Sequence, residues 1–381
     1  MPLNDYSDDI ATFMHAEFQY RLAVTTRSSK VPDKPIPPQA IDKELLQGCQ
    51  AAVDVCVNAY VSPLYVDWDY EEYCNECATL KLSRGRNSKK EAQMRERWGP
   101  KNRGTLKIET PRTVIDRHGR IIMWALPDVI LPRFQRQLYL ATKCLEGKLA
   151  SNLKTSEGST SWRSAPELYN PDSSYIRSGF ANISPGWYMA GRSPTKHDPH
   201  SSPVLKEASG RMFLYKGCQT LAIMSGILRI IHPEQYQMGK SIQQSLLGRN
   251  CCASTILNWP SVQTALSIIT NRETPFHRDT KSRMQWYDML TSIGPYSKAP
   301  LYLSPIGLRV DNRPGTICAF SGVALRHGVR RCDLPRISFA WYLRDNVREG
   351  EQVQPAHWMT QKVYEEFLGE FRRTNGRSST V

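Results

Sequence analysis

Thr274-Pro275-Phe276-His277-Arg278-Asp279 is answered much later in the chain by Arg326-His327-Gly328 and then by Arg336-Ile337-Ser338. Successive side chains on a strand alternate faces, so His277 and Asp279 point the same way. They can bind one metal ion as neighbouring ligands, with His327 as the third. Two imidazoles and one carboxylate on one face of an octahedron leave three positions open. That suits Fe(II) that must also take a chelating 2-oxoacid and O2. A structural zinc site would be richer in Cys.

Arg336 opens the most regular alternation in the chain, which runs to Arg344. One face reads Arg336, Ser338, Ala340, Tyr342, Arg344; the other reads Ile337, Phe339, Trp341, Leu343. The apolar face should be covered and the polar face should look into a site. An arginine can grip a carboxylate through two parallel hydrogen bonds, and Ser338 can add a third. His-Arg-Asp also occurs in protein-kinase catalytic loops. No Gly-rich loop, Val-Ala-Ile-Lys or Asp-Phe-Gly accompanies it here, which sets a kinase aside.

Four pieces together resemble the TET/JBP family, in its expanded basidiomycete set. They are Asn271–Asp279, Trp286–Leu290, Pro314–Gly322 and Leu325–Val329; Val114–Ile122 and Ser184–Tyr188 match more weakly. The family comprises Fe(II)- and 2-oxoglutarate-dependent dioxygenases that oxidise modified bases in nucleic acid. The resemblance implies metal ligands His277, Asp279 and His327, with Arg336 and Ser338 on the distal carboxylate of 2-oxoglutarate. It also implies that Arg272 reaches this cosubstrate. On an unbroken strand Arg272 would face away from His277, so a bend is expected, and Thr274-Pro275 is a plausible place for it. For the target base the resemblance is weaker, and the candidates are Arg344, on the face of Arg336 if the strand is regular, and Asn182, ahead of Trp187. Relatives that oxidise 5-methylcytosine carry an acidic residue shortly after His-x-Asp. Here the stretch is Thr280-Lys281-Ser282-Arg283, with no carboxylate before Asp288.

The implied reaction is oxidation of the methyl group of 5-methylcytosine in DNA to hydroxymethyl, formyl and carboxyl forms. The nucleotide should be flipped out of the duplex to reach the metal. Lys281, Arg283 and the Lys81–Lys107 stretch could hold the strand, and Trp187 and Tyr188 could stack on the base. Three alternatives stand beside this reading: N6-methyladenine or RNA as target, a protein hydroxylase, and a non-enzymatic nucleic-acid binder. The last has no use for His277, Asp279, His327 and Arg336 together.

Composition bounds the rest. The 381 residues carry 50 basic and 36 acidic side chains, a net charge of +14, and are 40% hydrophobic with nine Trp. Such a chain can bury a core, and its charge suits a polyanion. Its ten Cys show no extracellular framework, which fits reduced thiols in cytoplasm or nucleus, and DNA as substrate points to the nucleus. Met1–Thr25 is broken by Asp, His and Arg, and no apolar run approaches about 18 residues, so no membrane span is expected. A monomer is expected. Cys74-x-x-Cys77 has no second pair to complete a zinc site, and His197 and His200 read as exposed loop residues.

The fold expectation is α+β, a double-stranded β-helix (jelly-roll) core with flanking helices. The division is 1–104 as a helical and basic region, 105–348 as the dioxygenase domain, and 349–381 as a C-terminal helix on the core. The first forty residues read as mixed, ending in a Pro-rich extended arm. Helices are expected over about 40–60, from Ser88 to Gly99-Pro100, and over 132–149, 221–231 and 242–247. Thr360–Arg373 should be amphipathic, with Val363, Phe367, Leu368 and Phe371 on its packed face. Short strands are expected at 113–116, 120–125, 265–269, 301–303, 308–310, 316–320, 323–326 and 336–344.

Overall fold

The computed structural model describes residues 1–39, 41–82, 87–100, 105–156, 161–189, 197–332 and 334–368. Its strands are β1 (Leu64–Tyr65), β2 (Leu106–Ile108), β3 (Arg112–Ile115), β4 (Ile121–Leu126), β5 (Gly179–Ile183), β6 (Ala265–Thr270) and β7 (Thr274–His277). They continue as β8 (Asp288–Ile293), β9 (Leu301–Leu303), β10 (Leu308–Val310), β11 (Ile317–Phe320), β12 (His327–Val329) and β13 (Ile337–Tyr342). A larger sheet has the order β1-β3-β4-β11-β8-β13-β6-β5, and a smaller one β2-β10-β9-β12-β7. Every pairing is antiparallel except β1 with β3 and β2 with β10. The architecture is therefore α+β with large, mainly antiparallel sheets.

The helices are α1 (Leu3–Thr25), α2 (Lys43–Val61), α3 (Tyr70–Thr79), α4 (Ser88–Trp98), α5 (Pro132–Lys143) and α6 (Glu146–Thr155). After them come α7 (Ala208–Ile231), α8 (Pro233–Leu247), α9 (Ala253–Leu257), α10 (Asp345–Gly350) and α11 (Gln361–Phe367). None is long and apolar enough to cross a membrane.

Alternation in β13 separates the layers. Ile337, Phe339 and Trp341 join Leu266, Ile268, Met289 and Trp124 in one apolar cluster with α1, α2, α5 and α7. The other face of the larger sheet turns toward the smaller sheet. Between them Met123, Ala125, Cys318 and Phe320 meet Leu301, Leu303, Leu308 and Val310. The same cluster holds Cys74 and Cys77 of α3, and burial raises both thiols.

Several expectations need correction. The first residues are not irregular: Ile10, Met14, Phe18 and Leu22 recur every fourth position and are buried on α1, much of it against α7. Polar residues between them lower the average hydrophobicity but leave the stripe intact. The helix expected over 132–149 is two, α5 and α6, separated at Cys144-Leu145. No strand forms at 323–326; the chain turns there and pairs only from His327. Strands β1, β2, β5 and β8 were not among those expected. On α11 Tyr364 and Leu368 are buried, whereas Phe367 is 40% exposed. Residues 369–373, with Phe371, lie outside the described residues. So do Arg84, Arg86, Lys101 and Arg103 of the basic stretch. Between β3 and β4 the chain turns at Arg117-His118-Gly119, with Gly119 at φ 76°.

His232 joins α7 to α8 and is fully buried. Its Nδ1 accepts from the Gln235 amide at 3.2 Å, capping α8, and its Nε2 lies 3.4 Å from the Gln285 carbonyl. The ring must stay neutral to accept, and burial lowers its pKa to about 3. A folded pKa below the unfolded one contributes stability above the unfolded value of about 6.5, lost as pH falls toward the folded value. We therefore expect His232→Asn, which keeps a capping acceptor, to resist acid. The wild type should lose about 2 kcal/mol relative to this variant between pH 7.5 and 4.5. Urea unfolding at the two pH values measures this, and equal losses would remove His232 from the account.

Candidate metal and cosubstrate site

The ladder between β7 and β12 sets the site. His327 pairs with His277 across it, so both rings leave the same face, with centroids 4.3 Å apart. Asp279 lies two residues past the end of β7, where its amide donates to the Gly322 carbonyl at 2.9 Å. One ligand atom each from His277, Asp279 and His327 lies within 4.8 Å of the others.

Both imidazoles are held by the chain that carries them. His277 Nδ1 lies 3.0 Å from the Pro275 carbonyl, and His327 Nδ1 2.9 Å from that of Leu325. A carbonyl only accepts, so both Nδ1 atoms carry a proton and both Nε2 atoms are turned toward Asp279, where a metal would take them. These Nε2 atoms lie 3.5 Å and 3.8 Å from the Asp279 oxygens. Burial, then the neighbouring His277, lowers the His327 pKa to about 4, so it is neutral at physiological pH. Burial alone would raise Asp279; His277, His327 and Arg163 outweigh it and hold the carboxylate ionised. Two imidazoles and one carboxylate, preoriented and without thiolate, fit Fe(II).

A cavity of about 290 Å³ opens from this cluster between the sheets. Arg336 and Ser338 line it, as the alternation requires, together with Ser292 and Asn312. Ser338 sits opposite Ser292 in the ladder, and Asn312 donates to Ser292 Oγ at 3.1 Å. Arg336 is 3% exposed and donates to the Arg272 carbonyl at 2.7 Å. Among the described residues no carboxylate lies within ion-pair distance of it. A buried cation so placed fits a bound anion, here a carboxylate of the cosubstrate.

Arg272 also lines the cavity, and the ladder is irregular where the bend was expected: Thr274 pairs with Val329 and His277 with His327, so β7 carries one residue more than β12 across Pro275-Phe276. The chain leaves the larger sheet after Thr270 and crosses at Asn271, whose φ is 55°. Asn271 holds the corner: its amide donates to the Arg336 carbonyl at 2.7 Å and its side chain to the Ile176 carbonyl at 2.8 Å. The Arg272 guanidinium lies over Trp162 and Tyr169 and donates to the Arg163 carbonyl at 3.0 Å.

Of the residues suggested for the nucleic acid, Asn182 and Lys281 line the cavity and Arg344 and Arg283 do not. Asn182 accepts from Ser267 at 2.5 Å. Arg344 is buried over the Tyr342 ring, and Tyr342 itself lines the cavity. Arg283 pairs with Asp345 at 2.8 Å. Trp187 and Tyr188 are outside the cavity; Tyr188 is buried with its hydroxyl 2.5 Å from Glu351.

Sequence reasoning missed Trp162 and Arg163. The Trp162 ring centroid lies 4.9 Å from that of His277, and Arg163 lies 3.8 Å from Asp279. It also missed the environment of Asp288. This carboxyl is buried, accepts from the Gly322 amide at 3.1 Å, and is raised well above its ordinary value by burial and by Asp279. A Cβ on Gly322 would run into the carboxylates of both Asp279 and Asp288.

The third omission is Arg278, between the two ligands. It points away from the cavity and is clamped by Glu91 of α4, with nitrogen–oxygen distances of 2.7 and 3.1 Å. It also donates to Tyr73 Oη at 2.9 Å and to the Ala324 carbonyl. The ligand loop is thus tied to α3, α4 and the chain before His327 by one buried fork. Glu91→Ala would leave that guanidinium unpaired and should cost about 3–5 kcal/mol. Glu91→Leu combined with Arg278→Met should cost much less. Chemical denaturation of both decides it; a loss under about 1 kcal/mol in the single variant means the pair holds nothing.

Residues 184–365 match the family model described as Tet_JBP, the oxygenase domain of the 2OGFeDO superfamily. No curated protein matches the chain's sequence. Among solved structures, NgTET1 in complex with 5mC DNA is 14% identical, covering 86% of this chain and 98% of that one, at a TM-score of 0.46. JOX2 in complex with 2OG, Fe and JA is 12% identical, covering 93% and 94%, at a TM-score of 0.31. AviO1 from Streptomyces viridochromogenes Tue57 is 13% identical, covering 63% and 95%, at a TM-score of 0.27. Likenesses this distant carry no argument about substrate. The family match spans every ligand and cosubstrate residue above, so residues 184–365 carry a Tet_JBP oxygenase domain of the 2OGFeDO superfamily, which works with Fe(II), 2-oxoglutarate and O2.

Proposed function

We propose that the chain oxidises the methyl group of 5-methylcytosine in DNA, first to hydroxymethyl and onward to formyl and carboxyl forms. The observation that carries the reading is the joining of the His277–Asp279–His327 cluster to a cavity with a buried Arg336 that has no ion-pair partner among the described residues. In this reading His277, Asp279 and His327 hold Fe(II). Arg336 and Ser338 grip the distal carboxylate of 2-oxoglutarate, and Arg272 closes that end. With O2, this iron and cosubstrate supply the oxidising power that removes hydrogen from a methyl group and returns hydroxyl.

The chain's own residues orient and exclude. The Pro275 and Leu325 carbonyls keep the imidazoles aimed, and Trp162 covers one side of His277. Asn182, Lys281 and Tyr342 line the cavity and are the groups placed to meet a flipped base. The net charge of +14 supports a polyanionic partner. The two sheets facing each other across the cavity are read as the halves of a double-stranded β-helix. We place the protein in the nucleus, as a monomer. Methylated adenine is the second reading, because Thr280–Arg283 lacks the acidic residue of the cytosine-oxidising relatives.

The test supplies Fe(II) and 2-oxoglutarate anaerobically, then air and DNA carrying either 5-methylcytosine or N6-methyladenine, and analyses nucleosides by mass spectrometry. Oxidised cytosines that vanish in Asp279→Ala are the expected result. Loss of N6-methyladenine alone moves the target to adenine, and no change in either base ends the DNA reading. Arg336→Ala should weaken 2-oxoglutarate binding roughly 10- to 150-fold, since it removes hydrogen bonds between charged groups. Calorimetric titration of the Mn(II)-loaded protein reads this without turnover.

A further inference from the structure

The outer face of the smaller sheet, on the far side of the metal ligands, carries a second chemistry. Residues paired across an antiparallel ladder share a face. Leu301, Leu303, Leu308, Val310 and His327 turn inward and are buried. Their neighbours turn outward, so Lys107, Arg309, Tyr302 and Gly328 form one row across β2, β10, β9 and β12. Phe276, between Pro275 and the inward His277, joins them at 37% exposed. That is a large apolar side chain on an open sheet face.

One end of the row is neutralised. Lys107 pairs with Glu109, and Arg309 with Asp311 at 3.2 Å. The other end is not. Phe276 and Tyr302 have ring centroids 6.3 Å apart. Arg326 lies 5.3 Å from the Phe276 centroid and Arg330 5.2 Å from that of Tyr302. Among the described residues no carboxylate is within ion-pair distance of Arg326 or Arg330. Beyond Arg326 the basic surface passes to α4, where Arg95 lines the same small depression with Ser304 and Pro305. The nearest acid, Glu91, is taken by Arg278.

We propose that this face binds single-stranded nucleic acid, as a site separate from the cavity. Rings and guanidinium planes stack on exposed bases, and arginines meet the phosphates between them. Charge selects an anion, and flat aromatic faces beside arginines that have no ion pair among the described residues select one with bases to stack. A duplex offers its phosphates but hides the faces of its bases. An acidic peptide would satisfy the arginines and leave the rings without use.

The test needs neither iron nor a methylated base, so it is independent of the oxygenase reading. Fluorescence anisotropy measures a labelled, unmodified oligothymidylate against the full chain. Tyr302→Ala should weaken binding roughly 5- to 100-fold, and Tyr302→Phe should restore it. Arg330→Ala should reduce the slope of log affinity against log salt by about 0.7. The same substitutions should change duplex binding far less. The proposal is overturned if variants with unchanged melting temperatures bind oligothymidylate like the wild type. It is equally overturned if duplex loses affinity to the same degree, or if polyglutamate competes as well as the oligonucleotide.

Discussion

The pairing of His327 with His277 across β7 and β12 is the constraint on which the rest depends. A strand has a side-chain period of two, so a slip of one residue would turn one histidine out of the cavity. Register here is held on both sides. β9 pairs with the other edge of β12, bringing Leu303 opposite His327 and Leu301 opposite Val329. Inward leucines can leave the core only at the cost of their burial.

From that register the electrostatics follow. An ionised Asp279, a buried Asp288, and cations at Arg336, Arg272, Arg163 and Lys281 share one cavity. Charges so enclosed are costly unless each has a use. Arg278 shows the paired solution, with Glu91 and Tyr73 taking its donors. Arg336 shows the other, with no ion pair among the described residues. The difference separates a residue that stabilises the loop from one placed to receive an anion.

The N-terminal helices take part in both roles. α1 and α2 belong to the apolar cluster that backs the larger sheet, and α4 reaches behind the ligand loop. The basic character of α4 is only partly available to a partner. Arg97 pairs with Glu72 and Glu76, and Lys90 donates to the Leu80 carbonyl, whereas Lys89 and Arg95 are exposed. A charge count by sequence overstates the free cations, because it does not see which are spent within the fold.

What the sequence by itself determined was whatever depends on local period and residue type. The alternation over 336–344 announced one face of Arg336, Ser338, Ala340, Tyr342 and Arg344 for the cavity, all of which line it except Arg344, and Ile337, Phe339, Trp341 and Leu343 for the core. The clustering of His277, Asp279 and His327 was legible from donor chemistry and spacing. The stripe of α1 was legible in principle and was obscured by the polar residues between its apolar positions. Tertiary structure alone decided the rest. The crossover at Asn271, the approach of Trp162 and Arg163, the polar end at Ser292 and Asn312, and the Glu91 clamp on Arg278 all join residues far apart in the chain. No local pattern encodes such contacts, because they are chosen by which buried charges and carbonyls the folded chain brings within hydrogen-bonding reach.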